Sequence, residues 1–407
     1  MAHGIRVFSE IGKLNKVPLH RPSSELEALT PATLERLLFD DIPYLRVAQL
    51  EHDYFAQVLQ ENDVEVIYYV DEIAKTAEEE NQRRLLAEEF IRLSQINSPA
   101  MREVIAAYLQ SLSNRQMAEK LIAGIRYDEV ADFLSGSLMD VVNLEYPFVT
   151  DPMPNLYFTR DPGACVGTGI SIHRMHTFVR QREALLLRHI FLYNPDFSTD
   201  SKKIWTDLGD AYSVEGGDIL VIDRNIVAIG LSQRTTAAGV ENFARKLLQN
   251  SDFKKVLVFD IPKLRAFMHL DTVFTMVDYD KFTVHPEIEG PLSLYEMTLD
   301  KNGELHINAL EDKLDKLLAL EMRLPAVQLI RCGGGDLMAA QREQWNDGAN
   351  TLCIAPGRVI TYERNYVTNE LLVRNGLDVI TIPSSELSRG RGGPRCMSCP
   401  INRKDMA

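Results

Sequence analysis

Gly217-Asp-Ile-Leu-Val-Ile222, followed by Ser232-Gln-Arg234, reads as an apolar strand, a turn, a second strand and an arginine leading into a helix. The same plan occurs at Asn155-Leu-Tyr-Phe158 with Phe178-Val-Arg180, and at Asn350-Thr-Leu-Cys-Ile354 with Tyr362-Glu-Arg364. A second echo joins Val58-Leu-Gln-Glu-Asn-Asp-Val-Glu-Val-Ile67 to Leu371-Leu-Val-Arg-Asn-Gly-Leu-Asp-Val-Ile380, each a helix end followed by a strand. Three echoes with an arginine at one relative place favour internal repetition over chance. The class expected is α/β, and strand-strand-helix-strand units repeated around an axis would bring loops from every unit to one central site.

Around this pattern lies a contrasting stretch. Lys16-Val-Pro-Leu-His20 reads as a strand, a helix is expected from about Glu51 to Gln60, and Glu65-Val-Ile-Tyr-Tyr-Val70 as a second strand. Over residues 71–146 the glycines thin out and Pro99 is the only proline, while Glu78 to Leu93 has an amphipathic helical period. The expectation is an all-helical insert of four or five helices at 71–146, set into one α/β domain made of residues 1–70 and 147–407. Its charged clusters read as solvated helix faces.

A chain of 407 residues exceeds the usual single-core size, and 45% hydrophobic residues are ample for its core. Lys and Arg total 44 against 58 Asp and Glu, a formal charge of -14, which argues against nucleic acid or an anionic membrane as partner. A small, cationic ligand suits that balance. No apolar run is long enough to span a bilayer and Met-Ala-His-Gly-Ile-Arg-Val7 lacks a signal-peptide core, so a cytoplasmic protein is expected. The five cysteines, at 165, 332, 353, 396 and 399, fit reduced thiols better than a disulfide framework. A homo-oligomer, dimer or tetramer, is expected, with the helical insert as a candidate contact.

Four motifs carry candidate chemistry. Phe158-Thr-Arg-Asp161-Pro162 sets an aspartate where a strand should end, because the residue before proline avoids the α region. Val214-Glu215-Gly-Gly-Asp218 turns the backbone beside two carboxylates, and Met268-His269-Leu-Asp271-Thr272, read as a strand, points imidazole and carboxylate to one face. The fourth, Ser388-Arg-Gly-Arg-Gly-Gly-Pro-Arg-Cys-Met-Ser-Cys-Pro400, presents Cys396 on a glycine-rich backbone able to take positive φ, among arginines. The Cys396-Met-Ser-Cys399 spacing is half a zinc site without a second half, or a thioredoxin-like pair in the wrong context. A thiol nucleophile facing a cationic substrate held by carboxylates uses every motif.

Taken together, Asn155-Leu-Tyr-Phe-Thr-Arg-Asp161-Pro, Glu215-Gly-Gly-Asp, Met268-His269-Leu-Asp271-Thr and Gly-Gly-Pro-Arg-Cys396-Met-Ser-Cys-Pro resemble the motifs of the arginine deiminases, in the same order and across essentially the whole chain. The resemblance implies a five-bladed pseudosymmetric α/β propeller of ββαβ units, the pentein fold, with a helical insert. It implies hydrolysis of free L-arginine to L-citrulline and ammonia without metal or organic cofactor. Amidinotransferases and dimethylarginine hydrolases of the same superfamily use the same residue types and remain the alternative. By resemblance Cys396 is the nucleophile, His269 the acid and base, Asp161 and Asp271 hold the guanidinium, and Glu215 binds it and shares the proton transfers. Arg180 and Arg234 would bind the α-carboxylate, with Asn155 near the ammonium. Phe158 would stack on the substrate and Arg391 close over it.

Overall fold

In the computed structural model, which describes residues 4–133, 146–197, 203–288 and 292–406, the strand Ile219–Val221 runs antiparallel to Ile226–Leu231, which runs parallel to Lys255–Asp260. Four further sheets repeat this plan of one antiparallel and one parallel pairing. They are Gly163–Val166 with Gly169–Ile172 and Lys203–Thr206; Phe274–Asp278 with Lys281–Val284 and Gln328–Arg331; and Leu352–Ala355 with Arg358–Tyr362 and Asp378–Ile382. In the fifth, Asn402–Arg403 takes the antiparallel place beside Leu14–Leu19, which runs parallel to Glu65–Tyr68. The end of the chain thereby completes the unit that its beginning starts. A hairpin, Ser293–Leu299 and Leu305–Leu310, extends the sheet of Ile219–Val221.

A helix links the middle strand to the parallel one in each unit: Leu45–Glu61, Gln181–Tyr193, Ala237–Asn250, Leu314–Glu321 and Tyr366–Arg374. Parallel neighbours need such a crossover, and the helix then covers the apolar sheet face. In Ala237–Asn250 the buried stripe is Val240, Phe243, Ala244, Leu247 and Leu248, one face of a 3.6-residue period, and the Thr236 hydroxyl accepts the Gly239 N–H (3.2 Å) at its start. Gln181–Tyr193 is buried almost all round, since the insert packs on its outer side, as where His189 meets Glu89 at 2.8 Å.

The stretch expected as an insert holds four α-helices among the described residues, Tyr69–Thr76, Glu80–Leu93, Pro99–Ser111 and Asn114–Ala123, and the 3-10 helix Asp128–Phe133. The first begins at Tyr69, so the strand expected to reach Val70 stops at Tyr68 and turns into a helix with no loop. The insert is also not wholly helical, because Ile125–Arg126 pairs with Phe148–Thr150. That ladder ties the returning chain to the helices, and the Thr150 hydroxyl accepts the Ile125 N–H at 2.9 Å. Of the expected stretch 71–146, residues 134–145 lie outside the described residues. Among those described, no helix is long and apolar enough to cross a membrane.

Two expected strands are tight turns instead. Pro154–Tyr157 and Leu270–Thr272 are single 3-10 turns. At the second, local bonds outcompete a ladder: the Thr272 hydroxyl donates to the His269 carbonyl (2.7 Å), and Asp218 accepts the Leu270 N–H (2.8 Å). His269 and Asp271 therefore do not share a strand face; the turn sends them to different partners.

Candidate active site

The turns that replace those strands reveal how the site is built. Each of the five antiparallel first strands is preceded by a segment that supplies it. Asn155 to Asp161 precede Gly163–Val166, Glu215 to Asp218 precede Ile219–Val221, and His269 to Asp271 precede Phe274–Asp278. Asp347 and Asn350 precede Leu352–Ala355, and Arg391 to Cys396 precede Asn402–Arg403. Asn155, Phe158, Asp161, Arg180, Arg234, His269, Arg391 and Cys396 line one narrow cavity, with Leu38, Met268, Thr272 and Gly390. A roomier cleft, beside Arg21, Tyr68, Arg115 and Lys120, shares none of these groups.

Glu215 and Asp271, expected at the guanidinium, are fully buried and are not among the residues that line this cavity, although Asp271 touches Cys396, which is. Glu215 accepts from His269 Nε2 (2.8 Å) and from the His176 N–H (2.9 Å). Asp161 Oδ1 lies 3.6 Å from His269 Nδ1 and has no hydrogen-bond partner, while Oδ2 accepts from Arg180 Nη1 at 2.8 Å. Burial alone would push the His269 pKa down, but Asp161, Glu215 and Asp218 raise it to about 9, so the ring is an imidazolium at neutral pH. Burial likewise works against the Glu215 charge, yet its hydrogen bond to His269 and the charge of Arg234 hold it well below the usual carboxylate range.

Cys396 is 4% exposed, and its sulfur stands 3.7 Å from Asp271 Oδ2. Asp271 Oδ2 also accepts from Arg395 Nη1 (2.6 Å), and Oδ1 has no partner. Burial, then Asp271, Asp161 and Asp347, push the thiol far up; Arg395 opposes them. The backbone holding this thiol is fixed from several sides. Asn350 Oδ1 accepts the Cys396 N–H (3.0 Å), and the Tyr362 and Tyr157 hydroxyls donate to the carbonyls of Gly392 (2.8 Å) and Leu387 (3.0 Å). Glu51 accepts the N–H groups of Ser385, Glu386 and Leu387 at 2.6 to 3.0 Å.

Of the two uses expected of the glycines before Cys396, positive φ and close approach, the first is not realised; that conformation belongs to Arg391 (φ 64°). They serve close approach. A Cβ on Gly392 would stand 2.4 Å from the Phe158 ring, and one on Gly217 would stand 2.7 Å from the His269 ring.

The expected substrate contacts divide. Arg180 is engaged by Asp161 and Glu183, the latter at 2.8 Å. Arg234 meets only neutral groups by hydrogen bond among the described residues, the Thr177 hydroxyl (3.2 Å) and the Met268 sulfur (3.8 Å), so its charge, unlike that of Arg180, is available to a carboxylate. Asn155 Nδ2 donates to the Leu37 carbonyl (2.7 Å), and its carbonyl oxygen is the atom an ammonium requires. Arg391 is already inside, its guanidinium 3.5 Å from the Trp345 ring centre, with Nε and Nη1 lacking hydrogen bonds. Sequence reading missed Arg395, Asn350, Asp347, Asp218 and Glu10. Asp218 and Arg395 stood inside quoted motifs and Asn350 opened one of the repeated strand patterns; Glu10 and Asp347 show no pattern of their own. Asp161, Glu215 and His269 could each offer one donor atom to a metal, all within 4.8 Å of one another. At neutral pH a proton occupies the imidazole and competes for that site.

Comparison with known proteins defines first a class. SxtG, an amidinotransferase from Microseira wollei in the saxitoxin biosynthetic pathway, matches at TM-score 0.57 and 16% identity over 99% of this chain and 98% of that one. DDAH from Pseudomonas aeruginosa, a mutant complexed with citrulline, matches at TM-score 0.52 and 16% identity over 95% of this chain and 99% of that one. The chain thus has the α/β fold of those enzymes. Within that class the sequence narrows the choice. A family profile described as Arginine deiminase matches residues 35–403. The chain is 51% identical over 410 residues to the arginine deiminase of Clostridium perfringens, covering 99% of this chain and 98% of that protein. It is 49% identical over 408 residues to that of Streptococcus agalactiae, covering 99% of each. The chain belongs to the arginine deiminase family.

Proposed function

We propose that this protein hydrolyses free L-arginine to L-citrulline and ammonia, the first step of arginine catabolism, through a covalent S-alkylthiouronium on Cys396. One observation carries the reading in a chain of this family: a buried thiol, an imidazolium and Asp161 meet around one narrow cavity, Asp271 lies against the thiol, and the Oδ1 atoms of both aspartates accept no hydrogen bond. A guanidinium offers N–H donors in a plane, and those oxygens are the acceptors it lacks.

The chemistry follows from the charges. Carboxylates keep the guanidinium protonated and its central carbon electrophilic. They also keep the Cys396 thiol protonated in the free enzyme. The arriving cation offsets the carboxylates and releases the thiol's proton to solvent. The thiolate attacks the central carbon, and His269 gives its proton to one terminal nitrogen, which leaves as ammonia. The neutral imidazole then takes a proton from water as the oxygen adds to the thiouronium carbon. Collapse of that adduct breaks the C–S bond and returns the thiolate, while the adduct's remaining hydroxyl proton passes to solvent, where it is taken up by the released ammonia, leaving citrulline. Glu215, on His269 Nε2, keeps the ring oriented and charged and does not itself touch the substrate. Arg234 pairs the α-carboxylate, Asn155 accepts from the ammonium, and Arg180 acts chiefly by holding Asp161. Water and the substrate's own charge supply all that the steps need, without metal or organic cofactor.

The reading extends to architecture. The five sheets form a pseudosymmetric five-bladed propeller, residues 1–70 and 147–407 make the catalytic domain, and 71–146 the insert. The protein works in the cytoplasm as a dimer or tetramer, with no nucleic-acid or membrane partner. The formal charge of -14 supports the last point.

The test is citrulline formation from L-arginine by the purified protein without added metal, with Cys396→Ala beside it. Wild type should form citrulline and ammonia, and the variant should lose about 10^4-fold or more while still binding arginine. Dimethylamine from methylated arginine, or transfer to an amine acceptor, with free arginine inert, would refute the proposal in favour of the superfamily alternative.

A further inference from the structure

Immediately before the nucleophile, Arg395 is 1% exposed and does not line the cavity, yet all three of its guanidinium nitrogens are engaged. Nε donates to Glu10 Oε2 (3.1 Å), Nη1 to Asp271 Oδ2 (2.6 Å) and Nη2 to the Ile219 carbonyl (2.8 Å). Glu10 in turn accepts the Val221 N–H through Oε1 (3.1 Å). Glu10 near the start of the chain, Ile219 of one sheet and Asp271 before another therefore converge on the residue next to Cys396.

The arrangement has two consequences for the reaction. Asp271 is the carboxylate closest to the sulfur, and Arg395 occupies its Oδ2, the oxygen 3.7 Å from that sulfur. Oδ1 is left without a partner. A planar fork that binds one oxygen while anchored at two other points fixes the direction of the second oxygen. Arg395 is also the cation that works against Asp271, Asp161 and Asp347 at the thiol. Its own charge is balanced by Glu10, whose carboxyl stays ionised despite burial because Arg395, Arg160 and Arg403 surround it. The remaining charged groups of the cavity, His269, Arg180, Arg234 and Arg391, stand on its walls.

Resting on the deiminase reading above, we propose that Glu10 and Arg395 are a positioning pair for this reaction. Arg395 aims Asp271 Oδ1 at the substrate and offsets carboxylate charge at Cys396; Glu10 fixes Arg395 and tempers that offset.

The pair predicts effects of opposite sign, which a merely structural role would not. The readout is the rate of Cys396 alkylation by iodoacetamide at pH 9 in substrate-free protein, followed by peptide mass, and it needs no turnover. Arg395→Gln should slow alkylation about tenfold, because the thiol loses its nearest cation. Glu10→Gln should speed it about tenfold, because Arg395 is no longer balanced. A loop that was only loosened would expose the thiol and speed both, which overturns the proposal, as do two unchanged rates. Should Arg395→Gln fail to fold, Glu10→Gln and Arg395→Lys carry the test. Lysine keeps the charge without the fork, so alkylation should stay within about threefold while KM for arginine rises about tenfold. An unchanged KM overturns the positioning role. Wild-type protein that makes no citrulline refutes the deiminase reading instead, and leaves the alkylation series to judge the pair.

Discussion

The two walls of the site sit in one electrostatic field and answer it in opposite ways. Around His269 stand Asp161, Glu215 and Asp218; around Cys396 stand Asp271, Asp161 and Asp347. Negative surroundings favour the form with more protons in both cases. For an imidazole that form is the cation a general acid requires, so the acid is ready before substrate arrives. For a thiol it is the neutral, unreactive form, so the nucleophile waits for the substrate's positive charge. A buried thiolate would react with any electrophile small enough to enter. On the proposed reading, the carboxylates that select a guanidinium also suppress such side reactions.

The sharpest test of the His269 side is His269→Asn, which keeps a polar side chain and removes the titrating group. The kcat for citrulline formation should fall about 10^2- to 10^4-fold. In wild type the imidazolium persists until pH approaches about 9, so kcat should decline through that region. Glu215→Gln removes one of the groups that hold the ring charged, and should bring that decline to lower pH. A decline in the variant at the wild-type pH would remove Glu215 from the account.

The two arginines expected at the carboxylate should part company. Arg180 holds Asp161 and Glu183, all buried, so Arg180→Ala strands two carboxylates and should cost about 3–5 kcal/mol of stability, read by urea unfolding. Arg234 forms no hydrogen bond or ion pair with a carboxylate among the described residues and acts on Glu215 only through its charge, so Arg234→Ala should shift the unfolding midpoint far less. Its effect belongs in KM for arginine, about 10- to 100-fold, the range for losing a charge-assisted contact. Equal stability losses would erase the distinction drawn between them.

How much of this could be seen in sequence depends on the range of the interactions. Repeated strand-turn-strand patterns marked three of the five units, because apolar runs and turn residues are local signals. The unit at the chain's two ends showed its helix and parallel strand, through the echo of residues 58–67 with 371–380, but its closure was invisible, since Asn402–Arg403 and Leu14–Leu19 come from opposite ends of the chain. His269, Asp161, Glu215 and Cys396 sat in recognisable motifs, each just before a strand. Their expected geometry was less legible: a local pattern cannot tell that Asp218 captures the Leu270 N–H and winds an expected strand into a turn. Glu10 and Asp347 lie in ordinary contexts, Ser9-Glu10-Ile11 and Asn346-Asp347-Gly348, and matter only for what tertiary folding sets beside them.

Asp347 offers the smallest effect and the finest probe of the Cys396 side. It is 3% exposed, Oδ2 has no hydrogen-bond partner, and burial raises its pKa from 3.8 to about 7 although Arg391 acts to lower it. The sign of its contribution follows from linkage. Below pH 3.8 both folded and unfolded chains hold the proton and nothing is lost. Between pH 3.8 and about 7 the unfolded chain ionises first, so stability falls as pH rises, and above about 7 the full penalty is present. Asp347→Asn cannot ionise and should escape it: its Tm should match wild type near pH 4 and exceed it by about 2–4 °C at pH 8. The same change removes one of the three carboxylates that burden the thiol, so Cys396 alkylation should quicken about two- to fivefold at pH 9. A Tm gain without faster alkylation would confine Asp347 to the fold and leave Asp271 and Asp161 as the carboxylates that hold the thiol in reserve.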